Sequence, residues 1–114
     1  MVGNFGGRGY NLVLIFYFIC KGISMPTVKD VVVKKPSDQE IAVCKGWPTW
    51  SCEPSKFDWA YTQTETCLIL EGEVTVSDGT DSVSFGVGDY VVFPNGLECV
   101  WEVTKAVRKH YDFS

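Results

Sequence analysis

Three side chains in this sequence have types suited to chemistry at one site: Glu65, Tyr61 and Cys99. Phe57, Trp59 and Tyr61 alternate with Asp58, Ala60 and Thr62, so on an extended strand the rings share one face. Glu65 follows on the same alternation. A carboxyl enclosed by aromatic walls is a group suited to general acid or base work. Its structural alternative is a carboxylate bonded to the polar atom of Tyr61 or Trp59, tying one end of the fold together. Tyr61 offers a proton donor or a hook for a ligand. Cys99 is a nucleophile only where its thiolate is stabilised, and otherwise a buried, inert thiol. It alternates with Trp101 and Val103 against Val100 and Glu102.

Composition removes several chemistries. The chain has a single histidine, His110, which excludes most histidine metal sites and Ser-His-Asp arrangements. His110 is expected on the outer face of the last strand, without a role. The five cysteines contain no CxxC pair, which argues against a zinc ribbon or a thioredoxin-type centre. Reduced, buried thiols are the plainer expectation. A net charge of −4 argues against nucleic acid as a partner, since phosphate binding wants a basic face. At 114 residues, 46% apolar and 21% charged, the chain is long and apolar enough for one domain with its own core.

Charge divides the chain in two. Residues 1–25 hold Arg8 and Lys21 and no acid, while residues 26–114 hold all 14 acids. The leader contains an unbroken apolar run, Leu12–Cys20. As a helix that run rises about 13 Å, well short of the ~30 Å hydrocarbon core, so no transmembrane span is expected. Three readings of residues 1–25 stand side by side: a targeting segment, a packing arm or strand, and an extension outside the fold with Met25 as a natural start. They leave a cytoplasmic, plastid or secretory destination open.

The body, 26–114, reads as short strands. Thr27–Lys34 is β-branched between Pro26 and Pro36, and a Trp/Pro-rich section, Gly46–Pro54, follows. The alternating Phe57–Gln63 stretch comes next. The apolar run Thr66–Leu70 is expected to turn at Glu71-Gly72-Glu73 into Val74–Ser77. Asp78-Gly79 has the dipeptide of a tight hairpin leading to Ser82–Phe85. Tyr90–Phe93, Glu98–Val103 and Ala106–Phe113 complete the set. No long window carries a helical stripe. Many short strands separated by Gly/Pro turns predict an all-β sandwich or barrel.

Two stretches resemble the paired motifs of the cupin superfamily. Glu65 and Gly72 stand at the separation of the Glu and Gly of the first cupin motif. Gly88-Asp89-Tyr90-Val91-Val92-Phe93-Pro94-Asn95-Gly96-Leu97-Glu98 follows the second up to its closing histidine, where Cys99 stands instead. The histidine positions of the first motif fall on Trp59 and Tyr61, or on Asp58 and Ala60. The wider pattern resembles one branch of the superfamily: Trp47-Pro48-x-Trp50, Phe57-x-Trp59-x-Tyr61, Glu65, Cys67, Leu70-Glu71-Gly72 and Cys99-x-Trp101-Glu102-Val103. It is the cupin domain named after (S)-ureidoglycine aminohydrolase, found also in an ethanolamine-utilisation protein.

The resemblance covers about residues 26–113 and implies a single-domain jelly-roll β-barrel, RmlC-like, often a homodimer. It also implies a pocket walled by Phe57, Trp59, Tyr61 and Trp101, with Glu65 and Cys99 as its polar groups. Lys56 is expected to be a solvated lysine, with a place at the barrel mouth, attracting an anionic ligand, as its alternative. No cofactor is expected, because the histidine ligands of the manganese-dependent aminohydrolase are missing. A divalent metal would have only the unusual set Glu65, Cys99 and Tyr61. The leading expectation is therefore a barrel that binds a small polar or anionic metabolite without metal. Its alternatives are a hydrolase or isomerase of a small nitrogenous or sugar-like substrate with Glu65 as acid/base, and a non-catalytic dimerisation or interaction module.

Overall fold

The computed structural model describes residues 25–114. The expectations about the apolar run Leu12–Cys20 lie outside the described residues. Among the described residues the strands are β1 (Val32–Lys34), β2 (Thr49–Cys52), β3 (Ser55–Ala60), β4 (Glu65–Ser77), β5 (Ser82–Gly86), β6 (Tyr90–Phe93) and β7 (Glu98–Phe113). All pairings are antiparallel.

The architecture is an all-β jelly-roll barrel whose two long strands each serve both walls. The first half of β4 pairs with β6 and with the second half of β7, and β1 and β2 extend that wall at its edges. The second half of β4 pairs with β5 and with the first half of β7, and β3 closes that wall. Between the halves the register of β4 against β7 shifts between Ile69 and Val74. That irregularity changes which residues point inward. The buried row of β4 is Glu65, Cys67 and Ile69 before it, and Val74 and Val76 after it. One extra residue inserted in a period-two strand moves the inward face from odd to even positions.

Two sequence expectations are corrected here. Glu71-Gly72-Glu73 does not reverse the chain: it is a bend within one strand. Likewise Glu98–Val103 and Ala106–Phe113 are one strand, β7. Gly72 has φ +95°, and a Cβ there would lie 2.6 Å from the Lys105 carbonyl oxygen, with the Ala106 carbonyl also in the way. Glycine lets two backbones cross at the corner of the barrel. The cross-strand pairs Arg108–Glu71 (2.8 Å) and Lys105–Glu73 (2.9 Å) flank this corner on the solvent side.

Three local features also differ from the sequence reading. Thr27–Lys34 is not one strand: Val28–Asp30 form a 3-10 turn, capped by Thr27 and Asp30, before β1 begins. Asp38–Cys44 is a short helix, α1, closed by a capping box between Ser37 and Glu40. The Asp78-Gly79 connection is a longer loop, since Ser77 pairs with Ser82 and the Asp78 carboxylate accepts from the backbone N–H groups of Thr80 and Asp81. Asp78 thereby works as a side-chain turn rather than as half of a two-residue hairpin.

The core is one contiguous apolar cluster that includes Trp59, Tyr61, Phe85, Phe93, Leu97, Cys99 and Trp101. Its rings touch in series. Tyr61 stacks on Phe93 at 5.0 Å, Phe93 lies 5.5 Å from Trp101, and Trp101 stacks on Phe57 at 6.1 Å. Such pairs add about 0.5–1.5 kcal/mol each beyond the area they bury.

Candidate functional site

The two turn segments of the second motif stand at the two ends of β6. Gly88 takes φ +87°, and the Asp89 carboxylate accepts from the Gly86 N–H at 2.8 Å and from Lys35 at 3.0 Å. Pro94-Asn95-Gly96 turns the chain with Gly96 at φ +93°. That turn grips the end of β3: Tyr61 N–H donates to the Leu97 carbonyl and Gly96 N–H to the Tyr61 carbonyl, both at 2.9 Å. The backbone of Tyr61 is therefore fixed from two sides, and its side chain is aimed by the loop that follows β6.

Inside the barrel the Tyr61 hydroxyl donates to Glu65 Oε1 at 2.8 Å. Burial, and then the negative charge of Glu65, push the Tyr61 hydroxyl well above its ordinary range, so it stays protonated and donates. The other carboxylate oxygen, Oε2, accepts from the Lys109 ammonium at 2.6 Å. Glu65 is 0% exposed and Lys109 is 1% exposed, so this is a fully enclosed ion pair. The ammonium also sits in the corner between two perpendicular rings, 4.6 Å from the Trp101 centroid and 4.9 Å from that of Trp50. Cation–π contact in a desolvated setting contributes about 2 kcal/mol.

Lys109 was missed by reading the sequence. Its strand register sets it opposite Ile69 on one side and Trp50 on the other. A usable signal did exist: Val107 and Lys109 keep the odd-numbered parity of Cys99, Trp101 and Val103, which places the lysine in the inward row. His110, next in line, accordingly points away from the core, and its Nδ1 lies 2.9 Å from the Trp47 carbonyl oxygen.

Among the residues singled out from the sequence, Tyr61 and Glu65 bond directly, and Trp101 stands against their partner Lys109. Phe57 and Trp59 continue the aromatic wall, with Trp59 6.4 Å from Tyr61. Cys99 faces Trp59 across the β3–β7 ladder. It also lines a groove of about 190 Å³ with Asp58, Ser77 and Asp78, toward the opposite end of β4 from Glu65. Burial, and then the negative charge of Glu65, push the Cys99 thiol up to about 12, so it remains a neutral thiol at neutral pH. Lys56 is exposed, on the outer face opposite Glu102. In native protein at pH 8, iodoacetamide is expected to label the half-buried Cys52 ahead of Cys44, Cys67 and Cys99, which react only after unfolding. Peptide mapping checks this, and fast labelling of Cys99 would contradict a closed, neutral thiol.

The surface hollows lie apart from Tyr61, Glu65 and Lys109. A groove of about 430 Å³ runs over the bend, lined by Gly72–Thr75, Ser84–Val87 and Thr104. It includes none of Tyr61, Glu65 or Lys109. Its size is no guide to where the reactive groups are.

The interior does not suit the divalent cation that many cupins carry. Both Glu65 oxygens are engaged, one by a hydroxyl and one by an ammonium, and a cation there would have to displace Lys109. Among the described residues, no three His, Cys, Asp or Glu side chains converge as a ligand set. The positive charge beside the carboxylate is instead supplied by the chain itself.

Residues 43–111 match the family model of the EutQ-like cupin domain. The chain belongs to that family. This cupin is similar over its barrel to a crystal structure of a DUF861-family protein from Thermotoga maritima. The two share 41% identity at a TM-score of 0.71, over 75% of this chain and 100% of that one. It resembles the EutQ protein of Clostridium difficile at 18% identity and TM-score 0.55, covering 73% of this chain and 66% of that chain. It also resembles a putative ethanolamine utilisation protein Q of Salmonella typhimurium at 20% identity and TM-score 0.51, covering 73% and 68%. At those identities the last two bear on the fold alone. No curated protein matches the chain. Among the described residues no helix is long and apolar enough to cross a membrane.

Proposed function

We propose that this cupin is a metal-independent receptor for a small polar or anionic metabolite, bound in the aromatic end of the barrel around Tyr61, Glu65 and Lys109. The observation that carries the reading is the Lys109–Glu65 pair at 2.6 Å in the core. Burying an ion pair costs several kcal/mol per ion in lost hydration, and an apolar pair of similar volume is often as stable or more so. Packing needs alone therefore give little reason for a lysine and a glutamate there. A second feature agrees. The indole N–H groups of Trp59 and Trp101 are buried without a hydrogen-bond partner. A buried donor left unmet costs about 1–3 kcal/mol, and a ligand oxygen would recover it.

The test is an NMR titration of the indole N–H signals with formate, acetate, oxalate and pyruvate. Trp59 and Trp101 are expected to shift in a saturable way with at least one of these, with Trp47 unmoved. If none moves either signal, the reading fails.

The Tyr61–Glu65–Lys109 constellation also favours an enzymatic version of the same site, in which Glu65 moves protons for a bound substrate. The likeness of the motifs to the ureidoglycine aminohydrolase-like branch supports a small nitrogenous substrate for it. The same likeness supports a homodimer as the assembled form.

A further inference from the structure

We infer that Lys109 is a carbonyl-capturing amine, and that the metabolite class of the barrel is a small 2-oxo acid held as an imine. This rests on the binding reading above and names its ligand. The juxtaposition behind it is a buried primary amine beside two indole rings, with a carboxylate 2.6 Å from its nitrogen and a phenol hydroxyl on the carboxylate's far oxygen. An amine attacks a carbonyl only once its proton has somewhere to go. Glu65 Oε2 is that acceptor, and Tyr61 holds the carboxylate in place from Oε1.

The chemistry balances with the chain's own groups. Lys109 passes a proton to Glu65, and its nitrogen lone pair forms a bond to the carbonyl carbon. The carbonyl oxygen takes the proton back from Glu65, giving a carbinolamine. Glu65 then removes a second proton from the nitrogen and delivers it to the hydroxyl. The C–O bond breaks, water leaves, and the nitrogen lone pair closes a protonated C=N bond. The ammonium becomes an iminium of equal charge, so the pair with the Glu65 carboxylate persists throughout. No oxidant, reductant or metal enters.

Trp101, whose ring stands 4.6 Å from the ammonium, also carries a buried indole N–H without a partner, a donor suited to the carboxylate of a 2-oxo acid. Trp50 is half-buried on the edge strand β2 with its ring 4.9 Å from the ammonium, so of the two rings beside the amine it is the one with exposed surface.

Reductive trapping of the full chain tests the inference. Pyruvate with cyanoborohydride is expected to add one carboxyethyl group, mapped by peptide mass spectrometry to Lys109 ahead of the exposed lysines. Lys109→Arg, which keeps the charge, abolishes that adduct. Glu65→Gln, which keeps the amine, slows it about 100-fold, the usual scale for a positioned acid/base. Trp50→Ala raises the trapping rate. An adduct confined to exposed lysines, in the parent and in Trp50→Ala alike, overturns the imine. If pyruvate then still shifts the Trp59 and Trp101 signals, the receptor reading stands without covalent capture. If pyruvate moves neither signal and yields no Lys109 adduct, the 2-oxo acid assignment falls, while saturable shifts with another probe leave the receptor reading intact.

Discussion

Glu65→Gln is expected to lose about 3–5 kcal/mol of unfolding free energy, the usual consequence of removing one partner from a buried ion pair. The amide can still accept from Tyr61, so the phenol keeps a partner. The loss comes from Lys109, whose ammonium is left 1% exposed without its carboxylate. Lys109→Met should be comparably damaging, because it strands the carboxylate. The informative variant is the double one. Glu65→Gln with Lys109→Met removes both charges at nearly constant volume and is expected to recover most of the loss. With single losses of about 3–5 kcal/mol and a small double loss, the coupling energy is at least one whole single loss, about 3 kcal/mol or more. Urea denaturation at unchanged slope reads all of them. Additive single losses would mean that the two charges do not depend on each other, and the site would need another description. The outcome also bears on function. A double variant that is stable but no longer shifts the indole signals separates folding from binding.

Gly72→Ala is expected to cost about 3 kcal/mol or more. Two penalties combine at this position. The backbone sits at φ +95°, where a residue with a Cβ is strained. The new methyl would also lie 2.6 Å from the Lys105 carbonyl oxygen and 2.7 Å from Val107 Cα, both main-chain atoms of β7. Backbone cannot rotate aside as a side chain can, so the β4–β7 crossing must open. Gly79 supplies the control. It has φ +92° but nothing within 4 Å of its would-be Cβ. Gly79→Ala should therefore cost only the strain, about 1–2 kcal/mol. Thermal or urea unfolding of the two variants separates the terms. Equal losses would show that conformation alone, and not the close approach at the corner, calls for glycine at 72.

The corner joins the two results. Because β4 and β7 pass through it unbroken, the half of β7 that carries Lys109 lies beside the half of β4 that carries Glu65. Were Glu71-Gly72-Glu73 a reversing turn, these halves would belong to separate strands, and nothing would fix their mutual register. The same corner shifts the inward parity of β4. Val74 and Val76 therefore face the core, although alternation from Glu65 predicts that they face out.

Local patterns were enough to read most of the strands, the Gly-Asp and Pro-x-Gly turns and the cupin superfamily from the chain. Alternating rings at Phe57, Trp59 and Tyr61, β-branched runs, and Gly-Asp and Pro-x-Gly turns each act over a few residues, the range at which neighbouring side chains and φ preferences decide conformation. The direct bond between Tyr61 and Glu65 was within that range as well, four positions apart. Even α1 carried a local mark, the Ser37-x-x-Glu40 capping box, in a helix too short to show an apolar stripe. Lys109 was beyond it. Its bond to Glu65 spans 44 positions, and a lysine among Arg108 and His110 has the appearance of a solvated edge until the barrel closes. Only closure puts Ile69, Trp50 and Trp101 around that ammonium and sets a carboxylate against it. The charge in the core is a product of register between distant strands, and register is a property of the assembled sheet.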